Sequence, residues 1–515
     1  MKLLNFVFLI IGLCIINSES FAQVDQDWAT RTDSVSAMDI AVDKTGNVYL
    51  AGNIYRGTSG FNICLIKYDA TGNQQWMTEY NGIGDGLDGS TAMALDTSGN
   101  IFVTGYSFRG PASTNDEIVT IKFNPSGDIF WVSHYNSEGS RIDRAFALAV
   151  DSSGNAYVGG YINNVSYGNV YGNDYITIKY GPDGTQLWAT QLYVGDGSVN
   201  ALAVDSKGDV YVTGIGYNLS ATGHEYITAK YNSNGDSLWV SRYSGPGNES
   251  DGAKSIALDH RGNVYITGYS IGSSGFSDYA TIKYNEAGVE QWVRRFDGPV
   301  NEDDKAIGIV ADKNQNVYVT GEVGVVAGTS YLKDFATIKY NSDGDSIWVK
   351  YYNGTGYSAD FPVDIAIDTS SNIYITGVSV GPWETGGAYD YATIKYNSNG
   401  DLLWEQRYNA ANLMDSPVAV AVDKSGNVYV TGISEASYTS TGSVTIKYSQ
   451  SLIPFAMKAE LPAPGSGSKT TFGDTHLTFI GDITISDSVT VYYYLVPAEP
   501  GELPIGIIRI GDYYW

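Results

Sequence analysis

Cysteine is almost absent from this 515-residue chain, which has Cys14 and Cys64 and no others. Cys14 lies in the stretch 1–22, which reads as a signal peptide. Lys2 gives the positive start, Leu3 to Ile16 the apolar run, and Ser20-Phe21-Ala22 the small-residue cleavage site. Leu13 is too large for a lipoprotein signal before Cys14. Cleavage leaves Cys64 alone within Ile63-Cys64-Leu65-Ile66, which excludes an intrachain disulfide and suits a small buried hydrophobe. No later run is long and apolar enough to span a bilayer. The expectation is an exported chain, periplasmic, at the outer surface or secreted. Positive charge is scarce too. Thirty Lys and Arg against 56 Asp and Glu leave a net charge of −26, which excludes nucleic acid and anionic lipid as partners.

Catalytic patterns are also missing. The four histidines, His134, His224, His260 and His476, have no metal-ligand spacing. There is no Gly-x-Ser-x-Gly elbow, no phosphate-cradling glycine loop and no Cys–His pair. No amphipathic helical period interrupts the chain.

What the chain has in abundance is one phrase, seen best at Ala421 to Gly432 (Ala-Val-Asp-Lys-Ser-Gly-Asn-Val-Tyr-Val-Thr-Gly). Its Asp recurs at Asp43, Asp96, Asp151, Asp205, Asp259, Asp312, Asp368 and Asp423, 53–56 residues apart, which means a repeat architecture. Each copy carries four runs of alternating β-branched and aromatic residues, joined by Asp-x-x-Gly-Asn and Asn-x-x-Gly-Asp turns. Four antiparallel strands per repeat, eight times over, predict an all-β fold, an eight-bladed β-propeller.

The fourth-strand Trp stands at Trp76, Trp131, Trp188, Trp239, Trp292, Trp348 and Trp404, and the eighth copy ends at Lys447-Tyr448 without one. The missing strand is supplied by Gln26-Asp27-Trp28-Ala29-Thr30, so the N-terminal strand is predicted to complete the last blade and close the ring. The expected division is residues 23–450 as propeller, 451–470 as a Pro/Gly/Ser-rich linker, and 471–515 as a short β-rich segment. Strands there are read at Thr475 to Ile480, Val489 to Leu495 and Ile505 to Ile510.

Eight copies in one chain act as an internal control: a residue in every blade serves the fold, and one found in a single blade is free for function. The Trp series, the Gly ending each second strand, and the Ala two before the shared Asp (Val310 excepted) are read as structural. Each third strand carries a Lys, from Lys67 to Lys447, expected to run between blades and pair with the acid five residues earlier. A second acidic set, Asp88, Asp143, Asp251, Asp304, Asp360 and Asp415, opens the first strands. These are read as caps of the inter-blade turns, with a calcium-type cation ring as the alternative.

The second-to-third and inter-blade loops vary, and variable loops on a rigid scaffold are where binding residues sit. Trp383, Glu384, Tyr389, Tyr167, Tyr171, His224, Arg56 and Arg109 are the candidate ligand-binding residues. Aromatic faces beside acids and amides suit a glycan or protein ligand.

Written as Asp-x-x-Gly-Asn-x-Tyr-Val-Thr-Gly, the repeat resembles that of the bacterial SBBP β-propeller proteins over residues 26–449. Gln315 and Ser371 replace the turn glycine in blades 6 and 7. The resemblance implies an exported or surface propeller with no family-wide catalytic residues. Tyr68 to Trp76 also resembles the tryptophan-docking turn of eight-bladed quinoproteins, but their vicinal cysteines are absent, since Cys64 is alone. The functional expectation is therefore a monomeric, non-catalytic binding module without a cofactor. An envelope scaffold and a glycan-active hydrolase or lyase are the alternatives.

Overall fold

A computed structural model describes residues 23–451, apart from the short stretches 111–115, 138–141, 167–169, 218–222, 248, 328–329, 356–357, 382–387, 411–412 and 438–439, together with the strands between 469 and 514. Among the described residues, eight antiparallel sheets of four strands follow one another along the chain. Blade 1 shows the plan, with strands Val35–Val42, Val48–Tyr55, Phe61–Tyr68 and Gln74–Tyr80. The first strands touch one another in sequence, and that of blade 8 (Asp415–Val422) returns to that of blade 1, so they line a central channel.

The ring closes as the Trp count predicts. Gln23–Asp33 pairs antiparallel with Ser440–Ser451, from Gln23 opposite Ser451 to Asp33 opposite Gly442, and supplies the fourth strand of blade 8. Trp28 on that strand lies between Tyr68 of blade 1 and Tyr429 of blade 8, with ring centroids 6.4 Å away in each case.

Each fourth-strand Trp docks on the third-to-fourth turn of the next blade. The Trp292 indole N–H donates to Ser342 O at 3.1 Å, and a Cβ on Gly344 would lie 2.8 Å from that ring. Gly344 also has φ +81, so both the turn and the close approach require glycine. Trp28, Trp131, Trp188, Trp239 and Trp348 make the same bond to the following turn. Trp404 is the exception, because blade 8 is assembled from two ends of the chain and has no such turn. Its buried indole N–H has no partner among the described residues.

The third-strand lysines do run between blades, and two pair with acids, Lys230 with Asp209 (3.0 Å) and Lys447 with Asp27 (2.8 Å), but others take a different partner. Lys122, Lys179, Lys283 and Lys339 reach the same next-blade carbonyl as the Trp: Pro182, Ser233, Ser342 and Ser398. Several also lie over a second-strand ring, as Lys179 does over Tyr157 at 4.9 Å. The acid five residues earlier is instead taken by the fourth strand, in Asp278–Arg295 (2.6 Å) and Asp390–Arg407 (2.8 Å). A carbonyl already aligned by the turn satisfies the ammonium where it emerges, while the acid faces the opposite strand.

Residues 469–514 form a sheet of their own, an antiparallel meander of Lys469–Phe472, Thr475–Ser486, Val489–Val496, Ile505–Ile510 and Tyr513–Tyr514.

Candidate binding site on the loop face

The two faces of the propeller are built differently. On the face of the first-to-second turns, the shared Asp holds its loop shut. Asp259 Oδ1 accepts from the backbone N–H of Arg261 (2.8 Å) and Asn263 (3.0 Å), and Oδ2 accepts from the Asn263 amide (2.7 Å) and Tyr265 hydroxyl (3.0 Å). Blades 1, 3, 6, 7 and 8 repeat that set, including the bond from the second-strand Tyr. Burial alone would raise the Asp259 carboxyl, but these donors outweigh it and hold the group below the usual carboxylate range. A cavity of about 450 Å³ lies between blades 3 and 4 on this face, lined by Asp151, Tyr157, Lys179, Asp205 and Lys207 among others. Most of its lining recurs in every blade.

The opposite face carries the second-to-third and inter-blade loops, and here the blades disagree. Exposed aromatic side chains occur at Tyr55, Tyr193, Tyr217, Tyr331 (65% exposed) and Tyr389 (43% exposed). Of the sequence candidates, Trp383, Glu384 and Tyr167 lie outside the described residues. Tyr171 lies on Val170–Tyr180, opposite Val165. Tyr389 opens the third strand of blade 7, opposite Val380. His224 packs edge-on against Tyr217, 5.8 Å between centroids, in blade 4. Arg56 pairs with Glu79 in blade 1, and Arg109 lies 3.3 Å from Glu117 in blade 2, beside His134. The described candidates are therefore spread over blades 1, 2, 3, 4 and 7. The two arginines are occupied by acids of their own blades.

The acidic set caps the inter-blade turns. Asp251, buried, accepts from Gly245 N (2.6 Å) and Ile271 N (2.9 Å), tying the inter-blade turn to the second-to-third loop. Asp88, Asp143 and Asp304 likewise bridge two backbone N–H groups, while Asp360 accepts from Gly354 N and Asp415 from Ala410 N. Each carboxylate sits in its own blade and accepts from at least one backbone N–H there. Among the described residues, no three His, Cys, Asp or Glu side chains come together to hold a metal ion.

What sequence reasoning missed is the channel mouth. The residue five before the shared Asp sits at a β-bulge of the first strand, since the register skips it between Ala253 and Ser255 and at the matching place elsewhere. It meets solvent in the channel, as the exposure of Met38, Phe146 and Lys254 shows. The second-strand residue after the shared Gly is Tyr in three blades: Tyr106, Tyr161 and Tyr269. One position further along the first strand, most blades have Ala, Ser or Gly, but blades 1 and 7 have Asp39 and Asp364. Asp39 accepts from Met93 N of blade 2 (2.7 Å), and Asp364 from Val420 N of blade 8 (2.8 Å), so each staples its blade to the next. Burial pushes them up to about 6 and about 7. A column-by-column comparison of the eight copies along the first strand was the signal that finds this region.

Fold and faces together define an eight-bladed β-propeller with a uniform turn face and a blade-specific loop face. The SBBP β-propeller repeat model matches residues 238–276 and 347–382. A WD repeat-containing protein of Acanthamoeba polyphaga mimivirus, L264, itself uncharacterized, is 24% identical over 450 residues, 72% of this chain and 31% of that protein. The chain thus spans about a third of the length of the curated relative it matches. Among solved structures, the WD40 domain of SCAP from fission yeast is 8% identical and covers 84% of this chain and 96% of that one, with a TM-score of 0.44. A PL25 ulvan lyase bound to an oligosaccharide is 12% identical, covers 78% and 93%, and has a TM-score of 0.41. Polysaccharide lyase Uly1 is 11% identical, covers 80% and 89%, and has a TM-score of 0.42. These likenesses concern the fold alone. Among the described residues no helix is long and apolar enough to cross a membrane.

Proposed function

We propose that this chain is an exported, non-catalytic binding module that presents its loop face and channel mouth to a glycan. One observation carries the reading: side chains found in single blades, above all exposed tyrosines, gather on one face, whereas the other face repeats one bonded turn. Flat rings that face solvent on a rigid ring of blades stack on sugar faces and lose little entropy in doing so. Export follows from the reading of residues 1–22 and is checked by N-terminal sequencing of secreted protein, which should begin at Gln23.

The binding reading is tested on a glycan array with the secreted chain, in calcium and in EDTA, beside the double variant Tyr331→Ala/Tyr389→Ala. The expected result is a hit that ignores EDTA and weakens at least tenfold in the variant. An array silent under both conditions sinks the glycan reading and turns the search to a protein partner, by pull-down from envelope extract. Release of a shortened glycan during the incubation would overturn the non-catalytic part.

A further inference from the structure

The channel mouth repeats one arrangement at two of its junctions, and the two differ in charge balance. Between blades 2 and 3, the ring of Tyr106 lies on Gly89, where a Cβ would come within 2.5 Å of it. The Arg144 guanidinium from blade 3 stacks on that ring, 4.2 Å from its centroid. Arg144 is neutralised there by Asp116, to which its Nε donates at 2.9 Å. Between blades 5 and 6, the ring of Tyr269 lies on Gly252 in the same way, with 2.8 Å to a Cβ. Lys305 of blade 6, the positional counterpart of Arg144, lies over it at 5.8 Å. Here Ser277 stands where Asp116 does, and the nearby Asp303 accepts from Ser277 N at 2.9 Å and acts on Lys305 through space without forming a salt bridge. Instead a second cation joins: Lys254, the bulge residue of blade 5, lies over the same ring at 5.8 Å.

Neither lysine forms an ion pair among the described residues, and Glu322, opposite Lys305 across the strand pair, does not close one. Two ammonium groups share one ring with no salt bridge among the described residues, and only the Asp303 carboxylate acts on Lys305 through space, in a chain of net charge −26 where acids are plentiful. Desolvation in the channel, and then the Lys305 charge, hold the Lys254 ammonium below the usual lysine range. An anion placed between the two lysines would relieve their repulsion.

We propose that the blade 5–6 junction is an anion subsite, in which Lys254 and Lys305 receive a carboxylate or sulfate group of an acidic glycan. The glycan class rests on the reading above. The anion requirement rests on the lysine pair alone.

The test measures affinity of the secreted chain for four probes: a galacturonate hexasaccharide, its neutral methyl ester, sulfated maltohexaose, and hexaglutamate. Wild type is compared with Lys254→Met/Lys305→Met, with Lys254→Arg/Lys305→Arg, and with Lys207→Met, a lysine paired with Glu286 on the other face. Thermal unfolding of each variant confirms the fold. The expected result is binding of the carboxylated or the sulfated sugar, which tells the two anion sources apart, at least tenfold tighter than the ester. The methionine pair should lose that tenfold, the arginine pair and Lys207→Met should keep it, and salt should weaken it. Equal binding of acid and ester, unchanged in the methionine pair, overturns the subsite and leaves the glycan reading standing. Binding of hexaglutamate alone overturns both in favour of an acidic peptide. Silence toward every probe, while the array yields a neutral sugar, overturns the subsite only.

Discussion

The turn face and the loop face use the same residue types to opposite ends. On the turn face, a carboxylate accepts from two backbone N–H groups, an amide and a phenol, as at Asp43, Asp151, Asp259 and Asp423, and stays ionised at low energy. On the loop face, burial outweighs the donors that several carboxylates have. One oxygen of Asp334 has no partner, and burial together with the Asp360 charge pushes its carboxyl up to about 7. Burial likewise pushes Asp304 up to about 6. Repetition holds the carboxylates of the shared face ionised, and the face on which blades differ retains carboxylates whose charge burial disfavours. Functional sites tolerate such departures from local consistency.

The sharpest way to break the comparison is to open the ring. Trp28 alone brings the tryptophan dock to the closing strand, where its indole N–H donates to Ala70 O at 3.1 Å and its ring covers Gly72. Trp28→Ala should cost about 3 kcal/mol of stability in urea unfolding, in the range for large aromatic truncations. Trp404→Phe removes an indole N–H that has no partner among the described residues, and should cost clearly less than Trp292→Phe, which breaks the bond to Ser342 O. Equal losses at 404 and 292 would mean that the docking bond contributes nothing.

Acid and base should separate the faces next. Asp43, Asp151 and Asp259 are held below their unfolded pKa, so their contribution is complete above about pH 4 and is lost as pH falls through the folded value. Asp304 and Asp334 lie above theirs, so they cost nothing below about pH 4 and oppose folding increasingly as pH rises toward 6 and 7. The melting temperature should therefore peak between about pH 4 and 6 and be lower at pH 8. Asp334→Asn should recover at least about 2 kcal/mol at pH 8, less at pH 5, and nothing below about pH 4. A flat profile in both proteins would show that channel water already solvates the loop-face acids.

The propeller was legible because each blade restates its strand alternation and its turn chemistry, and seven tryptophans for eight blades left only the N-terminal strand to complete the count. For most of the third-strand lysines, Lys230 and Lys447 apart, the partner was not legible. That side chain crosses to a carbonyl about sixty residues away, as Lys122 does to Pro182, a contact with no local spacing to betray it. The loop candidates were chosen by residue type, and the fold scatters them, because a loop's position around the ring is fixed by blade number and not by its composition. The mouth was missed for the opposite reason. Lys254 and Lys305 sit inside strands, where a single Lys reads as an ordinary solvent-facing residue until the eight first strands are set side by side around one channel.

The smallest expected effect probes the turn face where it departs from its own rule. Gln315 and Ser371 occupy the position that is glycine in the other blades, and both hold φ of +65°, the left-handed conformation of Gly46 and Gly262. The turn is otherwise intact: Gln315 N donates to Asp312 O at 3.1 Å, as Gly262 N does to Asp259 O. A side chain there carries about 1 kcal/mol of backbone strain that glycine lacks. Glycine also gains entropy in the unfolded chain, which offsets part of the relief. Gln315→Gly and Ser371→Gly should each stabilise the protein by about 0.5 kcal/mol, additively because they lie in different blades. Gly262→Gln should lose a little more than that. If Gln315→Gly destabilises instead, the glutamine contributes contacts beyond the turn, and blade 6 departs from the repeat for a reason of its own.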